Sequence, residues 1–206
     1  MKAVRAAGRA DALLFRRIAE RQSPILDTAM PALSHAADHG RLWLGIAAGL
    51  YATGDPAWRR AAVAGVVSLA IASAAANGLA KSWIRRARPP IEHVPALRRV
   101  IRTPVTTSFP SGHAASAAAF ATGAALAAPG LAIPLGVLAG AVAFSRIWTG
   151  AHYPLDVVAG VALGGSLARA SHPVLARRYV RAAGPLGALT VRPPLPGRPG
   201  RIPRPG

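Results

Sequence analysis

The sequence predicts an all-α fold: a polytopic transmembrane helix bundle of about five membrane-spanning helices plus an N-terminal amphipathic helix. Three observations predict it. Of 206 residues, 52% are hydrophobic and only 16% charged, against about 25% charged in ordinary soluble domains. The apolar residues fall into five blocks, each near the length that a hydrocarbon core of ~30 Å requires. The formal net charge is nevertheless +18, carried mainly at the two ends and in one loop, as in membrane proteins with basic flanks.

Residues 1–22 are basic, with an apolar set at Leu13, Leu14, Phe15 and Ile18. No uninterrupted apolar run follows the early charges, so the stretch is not read as a signal peptide. It fits a helix lying on a membrane surface. The first predicted span is about 31–52, a polar half holding His35, Asp38 and His39 followed by LWLGIAAGLYA. The second is about 60–84, after the turn Gly54-Asp55-Pro56. The third (112–128) and fourth (131–148) form a hairpin over Pro129-Gly130, and the fifth runs over about 154–170. Small residues one turn apart, Gly136-x3-Gly140 and Gly160-x3-Gly164, are candidates for close helix contact in lipid. Residues 23–172 thus form the membrane domain. Residues 173–206 form a basic Pro/Gly/Arg-rich tail, expected to be disordered or polyproline-like.

Composition excludes some chemistry. There are no cysteines, hence no disulfide, thiol nucleophile or cysteine-held metal. The basic residues form no aromatic-rich stripe, so no nucleic-acid partner is expected; anionic lipid head groups are the better match for the basic ends. His35-x3-His39 with Asp38 has helical metal spacing, but no glutamate pattern supports it, and no metal is expected. Polar interfacial residues are the plainer account.

The chemistry-bearing residues lie between the apolar blocks. Lys81 and Arg88 close the second, before Pro89. Seven residues apart, they would share a helix face if the helix ran to that proline. Pro110-Ser111-Gly112-His113 opens the third, where free amides and the helix dipole favour an anion. Ser145-Arg146 ends the fourth, and His152-Tyr153-Pro154-Leu155-Asp156 opens the fifth. Pro154 suits the first helical position, which makes Tyr153 the cap and lets Asp156 reach back as in a capping box. Asp156 can then orient His152, a candidate nucleophile. Taken singly, the clusters have plainer accounts: a positive membrane flank, a helix cap, a structural ion pair. The hairpin, however, puts all three clusters at one membrane face.

Lys81-x6-Arg88-Pro89, Pro110-Ser111-Gly112-His113 and Ser145-Arg146-x5-His152-x3-Asp156 together resemble the three-part signature of the type 2 phosphatidic acid phosphatase (PAP2) superfamily. The resemblance covers about residues 30–170. It implies a PAP2/haloperoxidase-like core and a metal-independent bacterial membrane phosphatase without cofactors, working through a phosphohistidine. On that pattern His152 attacks phosphorus, Asp156 orients it and His113 is the general acid. Lys81, Arg88 and Arg146 bind phosphate oxygens, and Ser111 and Gly112 add hydroxyl and amide donors. The implied partner is a lipid phosphate from the bilayer: phosphatidate, phosphatidylglycerophosphate, or a polyprenyl mono- or diphosphate. The resemblance also implies an active site facing away from the cytoplasm; the basic residues are too evenly divided for the positive-inside rule to orient the chain. The alternatives are a catalytically silent lipid-phosphate-binding protein and, since related enzymes hold vanadate with the same residues, a haloperoxidase-type site. Nothing in the sequence bears on oligomeric state.

Overall fold

The computed structural model describes residues 2–80, 85–99 and 107–182. Among the described residues the regular structure is helical: α1 (Lys2–Ala19), α2 (Pro24–Ala36), α3 (Arg41–Ala52), α4 (Pro56–Ala74), α5 (Gly112–Ala127), α6 (Ala132–Trp148) and α7 (Pro154–Ala182). A π-helical stretch, Ala75–Ala80, continues α4.

Helix α5 is the axis of the bundle. It is made almost wholly of small apolar residues with no polar face, and such a helix is stable only when enclosed. Ala114, Ala115, Ala117, Ala119, Phe120 and Ala124 are all fully buried. The missing side chains let its neighbours approach. A Cβ on Gly164 of α7 would fall 2.0 Å from the Ala115 carbonyl oxygen, and one on Gly160 would fall 2.4 Å from that of Ser111. On the other flank a Cβ on Gly123 would meet the Ala64 carbonyl oxygen of α4 at 2.8 Å. The Gly160-x3-Gly164 pair therefore makes the close contact expected of it. Gly136 and Gly140 do not: a Cβ there would meet nothing within 4 Å.

The outward faces are apolar. Ile133 and Val137 of α6 are 80% and 70% exposed, and Val158 of α7 is 62% exposed. Pro56–Gly78 and Pro129–Trp148 are each long and apolar enough to cross a membrane. The first predicted span, 31–52, is not one helix. A 3₁₀ turn, Asp38–Gly40, separates α2 from α3, with His39 and Gly40 at φ 55° and 75°. Helix α3 has 12 residues, about 18 Å at the α-helical rise, short of the hydrocarbon thickness. The chain breaks at Asp38, whose carboxylate meets His113 of α5.

Other boundaries also move. Helix α7 continues to Ala182, so the division drawn after residue 172 cuts a helix; the tail beyond 182 lies outside the described residues. Helix α1 is not merely laid on a surface. Its Asp11, Phe15 and Ala19 are buried, the last two in a cluster with Val94. Leu13 and Leu14 stay 56% and 49% exposed.

Candidate active site

One cavity of about 700 Å³ is lined by Arg88, Gly112, His113, Arg146 and His152, together with Asp38, His39, Trp43, Ser73, Asn77 and Ser116 among others. Five residues singled out in the sequence thus meet in one space. Ser111 and Asp156 stand behind its wall, both fully buried. Lys81 lies outside the described residues. The helical register expected to align it with Arg88 does not reach Pro89, because residues 85–90 are non-helical.

Helix ends position the set. Ser111 caps α5, its hydroxyl accepting the Ala114 amide at 3.4 Å, while its own amide donates to the Asp156 carbonyl at 2.9 Å. Ser111 therefore joins α5 to α7, its hydroxyl acting as the helix cap that the sequence allowed. Gly112 is required for packing: a Cβ there would lie 2.9 Å from Asn77 Oδ1. Asn77 sits on the π-helical turn; such bulges often mark functional positions.

Helix α7 starts as its sequence prescribes. Pro154 is its first residue, and Asp156 Oδ2 reaches back to accept the Tyr153 amide at 3.0 Å. The same oxygen faces His152 Nδ1 at 3.8 Å, an ion-pair distance longer than a hydrogen bond. His152 Nδ1 and Arg146 Nε are both buried without a hydrogen-bond partner among the described residues. Arg88 Nη1 donates to the Ala151 carbonyl at 2.7 Å and approaches His152 Nε2 at 3.4 Å. A guanidinium has no lone pair to offer, so Nε2 is the acceptor and the ring proton belongs on Nδ1, toward Asp156. That tautomer leaves Nε2 nucleophilic. Burial, joined by the Arg146 and Arg88 charges, lowers the His152 pKa from 6.5 to about 4, against the pull of Asp156. The ring is neutral at physiological pH.

Arg146 is 3% exposed and donates to the buried Ser34 hydroxyl of α2. The other histidine has a partner that sequence reasoning missed. His113 Nε2 lies 2.9 Å from Asp38 Oδ1, and Asp38 Oδ2 lies 3.1 Å from His35 Nδ1. The acid read as part of a weak metal pattern is thus the carboxylate of a His–Asp pair. Its signal in the sequence was an acid in the polar half of an otherwise apolar block.

A neutral histidine beside a carboxylate, a second histidine paired with another, and two arginines in one cavity suit phosphoryl transfer in a helical membrane protein. The PAP2 superfamily model matches residues 61–179, and the chain belongs to that family. It is an integral membrane phosphatase, a phosphoric monoester hydrolase. It is 43% identical over 137 residues to decaprenylphosphoryl-5-phosphoribose phosphatase of Mycobacterium tuberculosis, covering 66% of this chain and 72% of that protein. It is 38% identical over 92 residues to lipid A 1-phosphatase of Rhizobium etli, covering 42% and 39%. The fold is similar to that of a transmembrane PAP2 type phosphatidylglycerolphosphate phosphatase from Bacillus subtilis, with TM-score 0.62 and 23% identity over 85% of this chain and 87% of the other. Aquifex aeolicus LpxE is similar with TM-score 0.58 and 23% identity over 77% and 92%.

Proposed function

We propose that the chain hydrolyses a phosphate monoester carried on a membrane lipid, through a phosphohistidine at His152. The observation that carries this reading is the neutral His152 in one cavity with Arg88, Arg146 and His113. Phosphoryl transfer asks mainly for positioning and for neutralisation of the equatorial oxygens. Arg88 and Arg146 supply charge, and the free amides at the start of α5 supply donors. Lys81, on the family pattern, is a third cation.

His152 Nε2 forms a bond to phosphorus as the ester P–O bond breaks. His113 gives its proton to the departing oxygen. Water then attacks phosphorus, the P–N bond breaks, and His113 takes the water proton. Asp38 is placed to hold the His113 ring in the orientation that this exchange needs. Asp156 faces the positive charge that develops on the His152 ring. No step calls for a metal, so turnover is expected to survive EDTA.

The favoured substrate is a polyprenyl lipid whose phosphate is borne on a sugar. The relatives at 43% identity are named for a prenyl-linked phosphoribose. Ser73, Asn77 and Ser116 add hydroxyl and carboxamide groups to the cavity wall, which suit sugar hydroxyls. Phosphate release would be measured on phosphatidate, phosphatidylglycerophosphate, polyprenyl phosphate and a polyprenylphosphoryl phosphosugar. The highest kcat/KM is expected for the last; a preference for phosphatidate would overturn the substrate assignment, and no release from any would overturn the enzyme.

A further inference from the structure

The N-terminal helix reaches the back of the active site. Arg86 lies two residues before the cavity-lining Arg88, yet it is not among the residues that line that cavity. Its Nη1 donates to Asp156 Oδ1 at 2.6 Å, and its Nη2 to Asp11 Oδ2 of α1 at 2.6 Å. Asp11 Oδ1 accepts the Leu155 amide in the first turn of α7 at 2.9 Å. The Arg86 guanidinium also stacks over the Tyr153 ring, 4.3 Å from its centroid, and Phe15 meets that ring edge-on at 5.5 Å. Asp11 is 4% exposed and Asp156 is fully buried.

We propose that Asp11 and Arg86 are positioning residues for phosphoryl transfer, with α1 bracing the carboxylate that orients the nucleophilic histidine. The proposal rests on His152 being that nucleophile. Asp156 has one oxygen shared between the Tyr153 amide and His152. Left alone, its other oxygen would allow the carboxylate to rotate and release the ring. Arg86 fixes that oxygen. Arg86 by itself would be costly, because a partly buried cation beside Asp156 would draw off the negative charge that His152 needs as phosphorus bonds to it. Asp11 compensates that cation. The Asp11–Arg86 pair is neutral, so Asp156 keeps its charge for the imidazole while held in place by a guanidinium that gives one N–H to each carboxylate. Burial works against the charge of Arg86, but Asp11 and Asp156 keep its pKa above the ordinary arginine value. The brace therefore stays charged at every working pH.

The test compares Asp11→Asn, Arg86→Lys, the double variant Asp11→Asn/Arg86→Met, and His152→Ala in detergent-purified protein. The readouts are kcat, KM and inhibition by vanadate. Asp11→Asn is expected to lower kcat about 10- to 100-fold, the usual cost of losing an outer orienting partner. KM and the vanadate inhibition constant should stay within about threefold, since the phosphate-binding side chains are untouched. The double variant should recover part of the lost kcat, because it removes the uncompensated cation. Lysine at position 86 keeps the charge but cannot bridge two carboxylates in the same way; kcat should fall with vanadate inhibition retained. That variant decides the matter if Asp11→Asn does not fold. Wild-type kcat in Asp11→Asn or Arg86→Lys would overturn the proposal, as would a double variant slower than Asp11→Asn. Retained turnover in His152→Ala would instead overturn the nucleophile assignment on which it rests.

Discussion

At the scale of single residues, the account turns on two imidazoles in one cavity held by different carboxylates. His152 is neutral because burial and two arginines outweigh Asp156. In substrate-free protein labelled with ¹⁵N-histidine, the resonance absent from His152→Asn is expected to titrate near pH 4; titration at the ordinary value of about 6.5 would contradict the site electrostatics. The linkage has a definite sign. Between about 4 and 6.5 the unfolded chain binds a proton that the folded one refuses, so this group makes stability fall as pH drops through that window. His113 has a different proposed task, to carry the proton for the leaving group. A lipid alkoxide leaves poorly without a proton, whereas a departing phosphate needs it less. Asp38→Asn and His113→Ala are therefore expected to slow a lipid monoester more than the corresponding diphosphate. Equal losses on the two substrates would mean that this pair only positions substrate. His113, Arg146, His152 and Asp156 could be singled out in the sequence because each sits near a helix end; Arg88 stands in a non-helical stretch and was marked by the family pattern. The reach of Asp156 back to Tyr153 follows from Pro154 alone. Asp38 and Asp11 were not legible. Each is one acid among basic or polar neighbours, and only tertiary contact reveals what it faces.

At the scale of elements, small residues decide which helices touch. Two Gly-x3-Gly pairs were visible, and composition could not rank them. The difference lies in what stands opposite: Gly164 faces the backbone of Ala115, while Gly136 faces open surface. Gly164→Val is expected to lower the thermal midpoint in detergent and cost about 1–3 kcal/mol or more, as overpacking does; Gly136→Val should leave the midpoint nearly unchanged. Similar shifts for both would refute the packing account. The break between α2 and α3 was hidden for a related reason. Apolar periodicity continues on both sides of Asp38–Gly40, and the turn brings Asp38 to His113, a residue far away in sequence. Helix α1 was read from its apolar set as a membrane-surface helix. Its docked face instead carries Asp11, Phe15 and Ala19, leaving Leu13 and Leu14 outward.

At the scale of the whole molecule, residues of the three polar clusters converge in one cavity of a bundle whose flanks are apolar. That convergence was predictable from topology, because a hairpin returns the chain to the face it left. Which leaflet this face adjoins is a separate matter, and we propose that it looks away from the cytoplasm. The cysteine-free chain allows a direct check. Leu97, 74% exposed on the active-face loop, and Arg59, exposed near the start of α4, are suitable sites for cysteine substitution; Arg98 is not, being 1% exposed and paired with Asp27 at 2.6 Å. A membrane-impermeant maleimide should label position 97 in intact cells and position 59 only after permeabilisation. The reverse pattern would invert the topology. The central claim is more chemical: a phosphoryl group passes through His152. Rapid alkaline-stable quenching of turnover on a ³²P-labelled lipid monoester, followed by peptide mapping, tests it most directly. The account predicts label on His152, absent in His152→Ala; label on another residue, or turnover at the wild-type rate with His152 removed, would contradict it.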